Sequence, residues 1–563
     1  MTADRVAGTK DWLKQNAAVV MLGLALLASA VVLLTYASGL APFQDSWEFL
    51  MHRRGFTADA FLQPHNEHIV VIPVAIDQLL LRLFGMSSGT PEFVALTVAL
   101  LLTAVLVFVY VRRRIGAWPA LIAAVLLLFL GPAWQVLLWP FEIGFVGSLL
   151  FGVAMLLALD RDDSRGDVIA CVSLAVAIGF SSLGVAFALG AAVDVFQRRR
   201  RRGLRRAYVA TVPLLLYLAW YGGWGHDAEG HLSFHNVLVS PRFVFEGLSA
   251  SVDSLLALST IADEAVGRSQ WGPFVLVGLA ALVVYGWRRK RAFSPRLWPV
   301  VASAAAFWFL AAFNYFPGRE AYSSRYLYAG AAFLVLIAAD LLKGVRFGRG
   351  ALVVAGAVTV AVAVFNLVPL REGRDFLRSQ TVLTRADLAA IEISEHSVEP
   401  SFALPQEIAG TSFLNEIQAG EYLTAMREYG SPAYTPAELA RAPEAGRAQA
   451  DIVLASALPV TSEIESQAGL GPDRGDRCIR VRGGRGADAP VLILHPGSTK
   501  IELASGDPGT IRLRRFAVAE YPLVSEGVPG GSTTLLRIPR DSTTRPWRLR
   551  VEATQPTAVC RAR

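Results

Sequence analysis

Eleven apolar runs fill most of the first 370 of the chain's 563 residues, and they limit its fold more than anything else in the sequence. They lie at 17–39, 91–111, 117–132, 143–159, 168–182, 183–197, 207–222, 271–287, 297–313, 325–342 and 351–369. A bilayer core is about 30 Å thick, and a helix of roughly 17–25 apolar residues crosses it. No water reaches that core, so backbone groups there must be satisfied internally. Mean hydropathy is +0.44, with 53% apolar and only 18% charged residues. This excludes a soluble globular enzyme and a disordered chain. The expected fold is a multi-pass α-helical membrane protein with about eleven transmembrane helices and one appended soluble domain. The break at Ser181-Ser182-Leu183-Gly184 is the weakest boundary among the runs.

Orientation follows from the basic residues in the loops. With a cytoplasmic N-terminus, the inner segments hold 23 Lys and Arg against 7 in the outer ones, over the first 370 residues. The run at 198–206 therefore reads as a topology anchor, and the net charge of +7 does not imply nucleic acid. Residues 69–85, IVVIPVAIDQLLLRLFG, would invert every later loop if they crossed. They are expected to form a helix on the outer surface, with Asp77 and Arg82 on its polar side. The first run lacks a small-x-small exit before Phe43, which makes it a retained first span rather than a cleaved leader. This topology places the protein in the plasma membrane with its C-terminal domain outside. All eight histidines, His495 included, then lie outside as well. Of three cysteines, Cys171 is inside a run, whereas Cys478 and Cys560 share the external domain, where a disulfide between them would persist.

The first external loop, 40–90, carries the most chemistry. Asp45 follows the first run, Glu48 comes one helical turn later, and His65, Glu67 and His68 precede the surface helix. Acids this close to a membrane are solvated, paired or used. Glu67 with His65 or His68 could hold a divalent metal or a leaving phosphate. The second external loop, GPAWQVLLWPFEIG, contributes Glu142. The loop at 222–270 adds a loose set, His226, Asp227, Glu229, His231 and His235, with no recognised metal spacing. The last external loop, NYFPGREAYSSRYLYAG, sets Arg319 and Arg325 beside tyrosines at the mouth of a span. Arginine makes bidentate contacts to phosphate oxygens, which fits a lipid-linked phosphate. No Gly-rich phosphate loop follows a strand, so any sugar donor would arrive on a polyprenyl phosphate rather than a nucleotide.

The order of these parts resembles the GT-C class of membrane glycosyltransferases, such as the protein O-mannosyltransferases and the lipid A aminoarabinose transferases. An external Asp follows the first span. A Pro-containing surface helix comes next, then a second span ending in VYVRRRIG, then an acid in the next external loop. The resemblance covers residues 15–160 and 310–345. It implies that Asp45 is the general base, that Glu142 is the second acid, and that Arg325 and Tyr326 in SRYLY open a late span near the donor phosphate, together with Arg319. The sequence departs from the pattern at Asp45-Ser46, where two acids are usual, and at His65-Asn66-Glu67-His68, where His-Pro-Pro or Lys-Pro-Pro is usual.

Residues 371–451 read as an external helical segment. Residues 452–563 read as a β-rich domain with a sandwich-like part, from short runs such as VLIL, TIRLRR and WRLRVE between turn residues. It is expected to be a binding or structural module, with no acid partner for His495 and Ser498. The leading expectation is a glycosyltransferase that moves a sugar from a polyprenyl-phosphate donor to a cell-envelope glycan, lipid or protein. The bacterial envelope enters through the 48 Arg against 5 Lys, which point to a GC-rich genome. A non-catalytic scaffold displaying the external domain is the rival. A transporter or flippase ranks lower because the runs hold almost no ionisable groups away from their ends.

Overall fold

The computed structural model describes residues 2–561 except 203, 229, 259–270, 291–292, 405–416, 458–459, 464–476, 495–496, 504–508, 519–522, 529–532 and 539–540. Glu229 and His495 lie outside the described residues. The chain forms two compact units. One comprises Met1–Gly39, His52–Leu80 and Thr90–Phe376; the other comprises Leu40–Met51, Leu81–Gly89 and Leu377–Arg563. This differs from the division expected at 370 and 451. Two pieces of the first external loop belong with the C-terminal residues, because their apolar side chains enter that unit's core.

All eleven apolar runs are helical, but fewer qualify as spans. Five described helices are long and apolar enough to cross a membrane: Asn16–Ala37, Thr90–Ile115, Pro140–Leu159, Ser324–Leu341 and Arg349–Ile393. A sixth is reached if Ala117–Leu128 and Gly131–Leu138, bent by 45° at the break between them, count as one span. Ser164–Phe180 and Leu297–Phe313 have 17 residues and Tyr208–Gly223 has 16. Leu183–Arg202 ends in a run of arginines, and Gly272–Lys290 ends in Arg288, Arg289 and Lys290. Residues 69–85 give one helix, Val71–Phe84, whose 14 residues are too few to cross.

Sidedness within the first unit follows the helical period. On Thr90–Ile115, Leu96, Leu100, Ala104 and Val107 are buried while Val94, Val98 and Leu102 are exposed. Small residues let helices approach closely. A Cβ on Gly147 or Gly152 would stand 2.3 Å from the Phe180 or Phe187 ring. At one end of the bundle Arg114 donates to Asp340 at 2.7 Å and to Asp160 at 3.1 Å, and Tyr110 donates to Asp340 at 2.5 Å. Arg206 pairs with Asp167 at 2.6 Å and with Asp194 at 3.3 Å. Arg114 and Arg206, read from the sequence as orientation charges, are therefore also buried structural ties.

The second unit holds two antiparallel sheets. The strands are β1 (Val460–Glu463), β2 (Arg477–Val481), β3 (Val491–Leu494), β4 (Gly497–Leu503), β5 (Gly509–Arg514), β6 (Leu523–Val528), β7 (Thr533–Ile538), β8 (Trp547–Glu552) and β9 (Thr557–Arg561). The orders are β1-β7-β4-β9-β2 and β3-β8-β5-β6. Alternation places Ile511 and Leu513 of β5 and Trp547, Leu549 and Val551 of β8 inward. They share one core with Leu536, Ile538 and Val559 of the other sheet, and with Trp47, Leu50, Met51, Leu81 and Met86. The β2–β9 register sets Cys478 opposite Cys560, and Cys560 is disulfide-bonded. Four helices, Leu367–Ile393, Ala419–Tyr429, Pro436–Leu439 and Glu444–Ser456, connect the spans to the sheets along the chain. From the last of these, the Asp451 carboxylate accepts from the amides of Arg515, Phe516 and Ala517 just after β5.

Candidate functional site

A tight turn in the first unit presents the site's acid. His65 N–H donates to His68 C=O at 3.0 Å, and His68 N–H returns to His65 C=O at 2.9 Å. Asn66, at φ 49°, takes the left-handed position that such a turn requires and that Asn tolerates. The turn is tied down from two sides. The buried Arg53 guanidinium donates to the carbonyls of Gln63 at 2.7 Å and Pro64 at 2.8 Å. Ser182 Oγ donates to the Glu67 carbonyl at 3.1 Å and accepts from Ile69 N–H at 3.4 Å.

The matching cation comes from 252 positions further along the chain. Arg319 donates to Glu67 Oε1 at 2.5 Å, and its guanidinium lies 4.6 Å over the Phe316 ring. The loop holding Arg319 is anchored by Asn236. Its amide donates to the carbonyls of His231 at 2.8 Å, Phe313 at 3.0 Å and Tyr315 at 2.9 Å. The His231 ring meets Phe316 at 4.6 Å. Gly318, at φ 96°, supplies the reversal that an ordinary residue would resist.

The surroundings are aromatic and close-packed. The His65 ring meets Phe141 at 4.9 Å, the His68 ring meets Phe145 at 5.4 Å, and Phe141 stacks on Trp139 at 5.3 Å. Ser324, next to Arg325, donates to Pro132 C=O at 2.7 Å and accepts from Gln135 N–H at 3.1 Å. That fixes the mouth of the helix Ser324–Leu341 against the loop of Glu142, which is 4% exposed. The Tyr326 hydroxyl is within electrostatic reach of Arg325, Arg319, Glu67 and Glu142.

Charge states follow from this packing. Burial would raise the Glu67 carboxyl, but the charges of His68 and Arg319 and the Arg319 hydrogen bond outweigh it and hold it at about 2. Burial pushes the His68 imidazole down; Glu67 opposes this, and Arg319, His65 and Arg325 add to it. Arg319, a fixed cation bonded to Glu67, favours the ionised carboxylate. Several buried atoms have no hydrogen-bond partner among the described residues: Glu67 Oε2, His68 Nδ1, Arg325 Nε and Gln135 Oε1.

The structure thus gathers Glu67, His65, His68, Arg319, Arg325, Tyr326 and Glu142. Asp45 belongs to the other compact unit, in the turn before the helix Ser46–His52, where its carbonyl accepts from Glu48 N–H at 3.2 Å. His226 and Asp227 make an exposed pair at 3.4 Å. His65 and His68, expected to hold a metal, flank Glu67 in the turn. Among the described residues no three His, Cys, Asp or Glu side chains form a group that could hold an ion. Glu67, between the two histidines, is engaged by Arg319. The sequence reading missed Arg53, Ser182, Asn236 and Gln135. The helix break at Ser181-Ser182 was the one local signal for any of them.

No protein-family model and no curated protein matches the chain. Solved structures similar to it include ArnT from Cupriavidus metallidurans bound to undecaprenyl phosphate, at 15% identity and a TM-score of 0.44. That match covers 75% of this chain and 90% of that one. Apo ArnT of the same organism gives 16% identity and a TM-score of 0.45, with the same coverage. Arabinosyltransferase EmbB from Mycobacterium smegmatis gives 13% identity and a TM-score of 0.35, over 96% of this chain and 64% of that one. Identity and TM-score are low in each case, and the function proposed below rests on the chain's own residues.

Proposed function

We propose that the chain is a membrane glycosyltransferase that takes a sugar from a polyprenyl-phosphate donor and passes it to an acceptor of the bacterial cell envelope. The observation that carries this reading is the Glu67–Arg319 pair, set among His65, His68 and Arg325 and walled by Phe141, Phe145 and Phe316. Buried polar atoms need partners. Arg325 Nε is a donor and Glu67 Oε2 an acceptor. A phosphosugar complements both, since phosphate oxygens accept and sugar hydroxyls donate. The cluster stands at the start of Ser324–Leu341, a helix apolar enough to lie in lipid, and a polyprenyl tail would stay in that lipid.

In this reading an acceptor oxygen forms a bond to the anomeric carbon as the bond from that carbon to the phosphate oxygen breaks. Asp45 takes the acceptor's proton, and polyprenyl phosphate leaves with the electron pair. Arg319 and Arg325 offset the charge that grows on the phosphate as it leaves, and they do so most in the transition state. Glu67 holds Arg319 in place, and Glu142 orients the acceptor. No step is routed through a metal.

The test is sugar transfer in membranes supplied with radiolabelled polyprenyl-phosphate sugars, comparing wild type with Asp45→Asn. Transfer that vanishes in the variant at normal protein level supports both the reaction and the base. Equal transfer in both removes Asp45 and leaves Glu67 and Glu142 as the acids to test. No transfer by wild type from any such donor overturns the enzyme in favour of a scaffold.

A further inference from the structure

We propose that Ser182 is a positioning residue: the break between the helices Ser164–Phe180 and Leu183–Arg202 serves to hold its hydroxyl against the main chain on both sides of His68, and so fixes Glu67 and His68 relative to Arg319. What the site does is taken from the reading above; the positioning itself is not.

Three observations support this. The break is built rather than tolerated. Ser181 is extended, and its Oγ accepts from Leu183 N–H at 3.3 Å. The carbonyls at the break, of Ala177 and Ser181, accept from Ser181 N–H at 3.4 Å and Gly184 N–H at 2.9 Å, and the single Ser148 hydroxyl is shared between them, at 2.6 and 3.2 Å. The chain then restarts so tightly that a Cβ on Gly184 would stand 2.4 Å from Ile178 N. Two apolar runs that could have formed one helix are therefore kept apart at the cost of specific side chains.

The hydroxyl is also used both as donor and as acceptor. A serine offers one donor and two acceptor positions. Ser182 donates to Glu67 C=O and accepts from Ile69 N–H, with the Tyr217 side chain close by. Two elements meet on this atom, the site's turn and the helix break, beside the helix Tyr208–Gly223.

The tie also lies where leverage is greatest. Its two turn contacts bracket His68, with the acid on one side and the start of the following helix on the other. Arg53 fixes the chain before the turn, at Gln63 and Pro64. Without Ser182 the turn keeps its internal pair of hydrogen bonds but can swing as a body, and the Arg319 contact lengthens. Misplacement of about 1 Å costs on the order of a hundredfold in rate where geometry decides.

The experiment compares wild type, Ser182→Ala and Ser182→Thr, the last restoring a hydroxyl. Diethyl pyrocarbonate modification of His68, followed by peptide mass spectrometry with exposed His226 as internal reference, reads the turn whether or not the protein transfers sugar. The expected result is a several-fold faster modification of His68 in Ser182→Ala, reversed in Ser182→Thr, with His226 unchanged. Sugar transfer from the polyprenyl-phosphate donor is read in parallel. KM is expected to rise more than kcat falls, and the acid limb of kcat/KM to move upward as Glu67 loses Arg319. Unchanged His68 modification in Ser182→Ala overturns the inference. Faster His68 modification with no transfer by wild type retains the positioning and rejects the enzyme. If Ser182→Ala does not accumulate, Ser182→Cys, similar in size but weak in hydrogen bonding, is read in the same way.

Discussion

At the scale of single residues, Glu67 and Arg319 set the behaviour of the site. Glu67 is held at about 2 against an ordinary 4.5, so its pairing stabilises the fold fully above about pH 4.5 and is lost as pH falls toward 2. That shift corresponds to about 3 kcal/mol. In detergent, the melting temperature of Glu67→Gln should lie below wild type at pH 7, and the gap should close between pH 5 and pH 2.5. A gap independent of pH would mean that the carboxylate charge is not what matters. Arg319→Lys keeps the charge but loses the planar fork and much of the stacking on Phe316. Transfer should fall roughly tenfold to a hundredfold, with Arg319→Ala lower still. Neither partner announces the other in the sequence, because pairing over 252 positions depends on how the helices between them pack. The residue types were legible: an acid between histidines and arginines beside tyrosines. The pair was not.

At the scale of elements, the helices were legible because lipid imposes a simple code, and each apolar run is a helix. Their lengths were harder to read. A run such as 183–197 continues into arginines as one helix, and 117–132 is broken and bent after Leu128, so neither gives a simple span. Strands β5 and β8 were visible from alternation and β3 from its apolar run, whereas β2 and β9 are too mixed in character to stand out. Two element-level outcomes follow. Gly184→Ala places a methyl on the backbone of Ile178 and Ala177, which cannot move aside as a side chain would. The yield of folded protein should drop, consistent with a cost of about 1–3 kcal/mol. Asn236→Ala frees the carbonyls of His231, Phe313 and Tyr315 and loosens the loop of Arg319. Limited proteolysis should then cut between 314 and 320 faster than in wild type, while cleavage elsewhere keeps its rate.

At the scale of the whole molecule, the C-terminal residues are not a detachable module. Trp47, Leu50 and Met51 from one segment, and Leu81 and Met86 from another, lie in the same core as Ile511, Leu549 and Val559. Met86 N–H donates to Tyr429 C=O at 2.8 Å, and Ala41 N–H to Thr381 Oγ1 at 3.0 Å. Residues 377–563 expressed alone should therefore be less resistant to protease than the same residues in the full chain. Adding peptides covering 40–51 and 81–89 should restore part of the protection. Full resistance of 377–563 by itself would show that these insertions are dispensable. Composition drew the boundary near 370 because polar sequence begins there, and it could not see two short segments leaving the first loop for a core made later.

That arrangement sets an order of events during synthesis. Residues 40–51 and 81–89 leave the ribosome well before residue 377, with most of the membrane helices still to be made. At about 5–20 residues per second the wait is roughly 15 to 60 seconds. For that time Trp47, Leu50, Met51, Leu81 and Met86 have no core to enter, although the helices on either side of them are already committed to the bilayer. Some holding factor, whether a chaperone or the lipid surface itself, has to cover these side chains until the last third of the chain arrives.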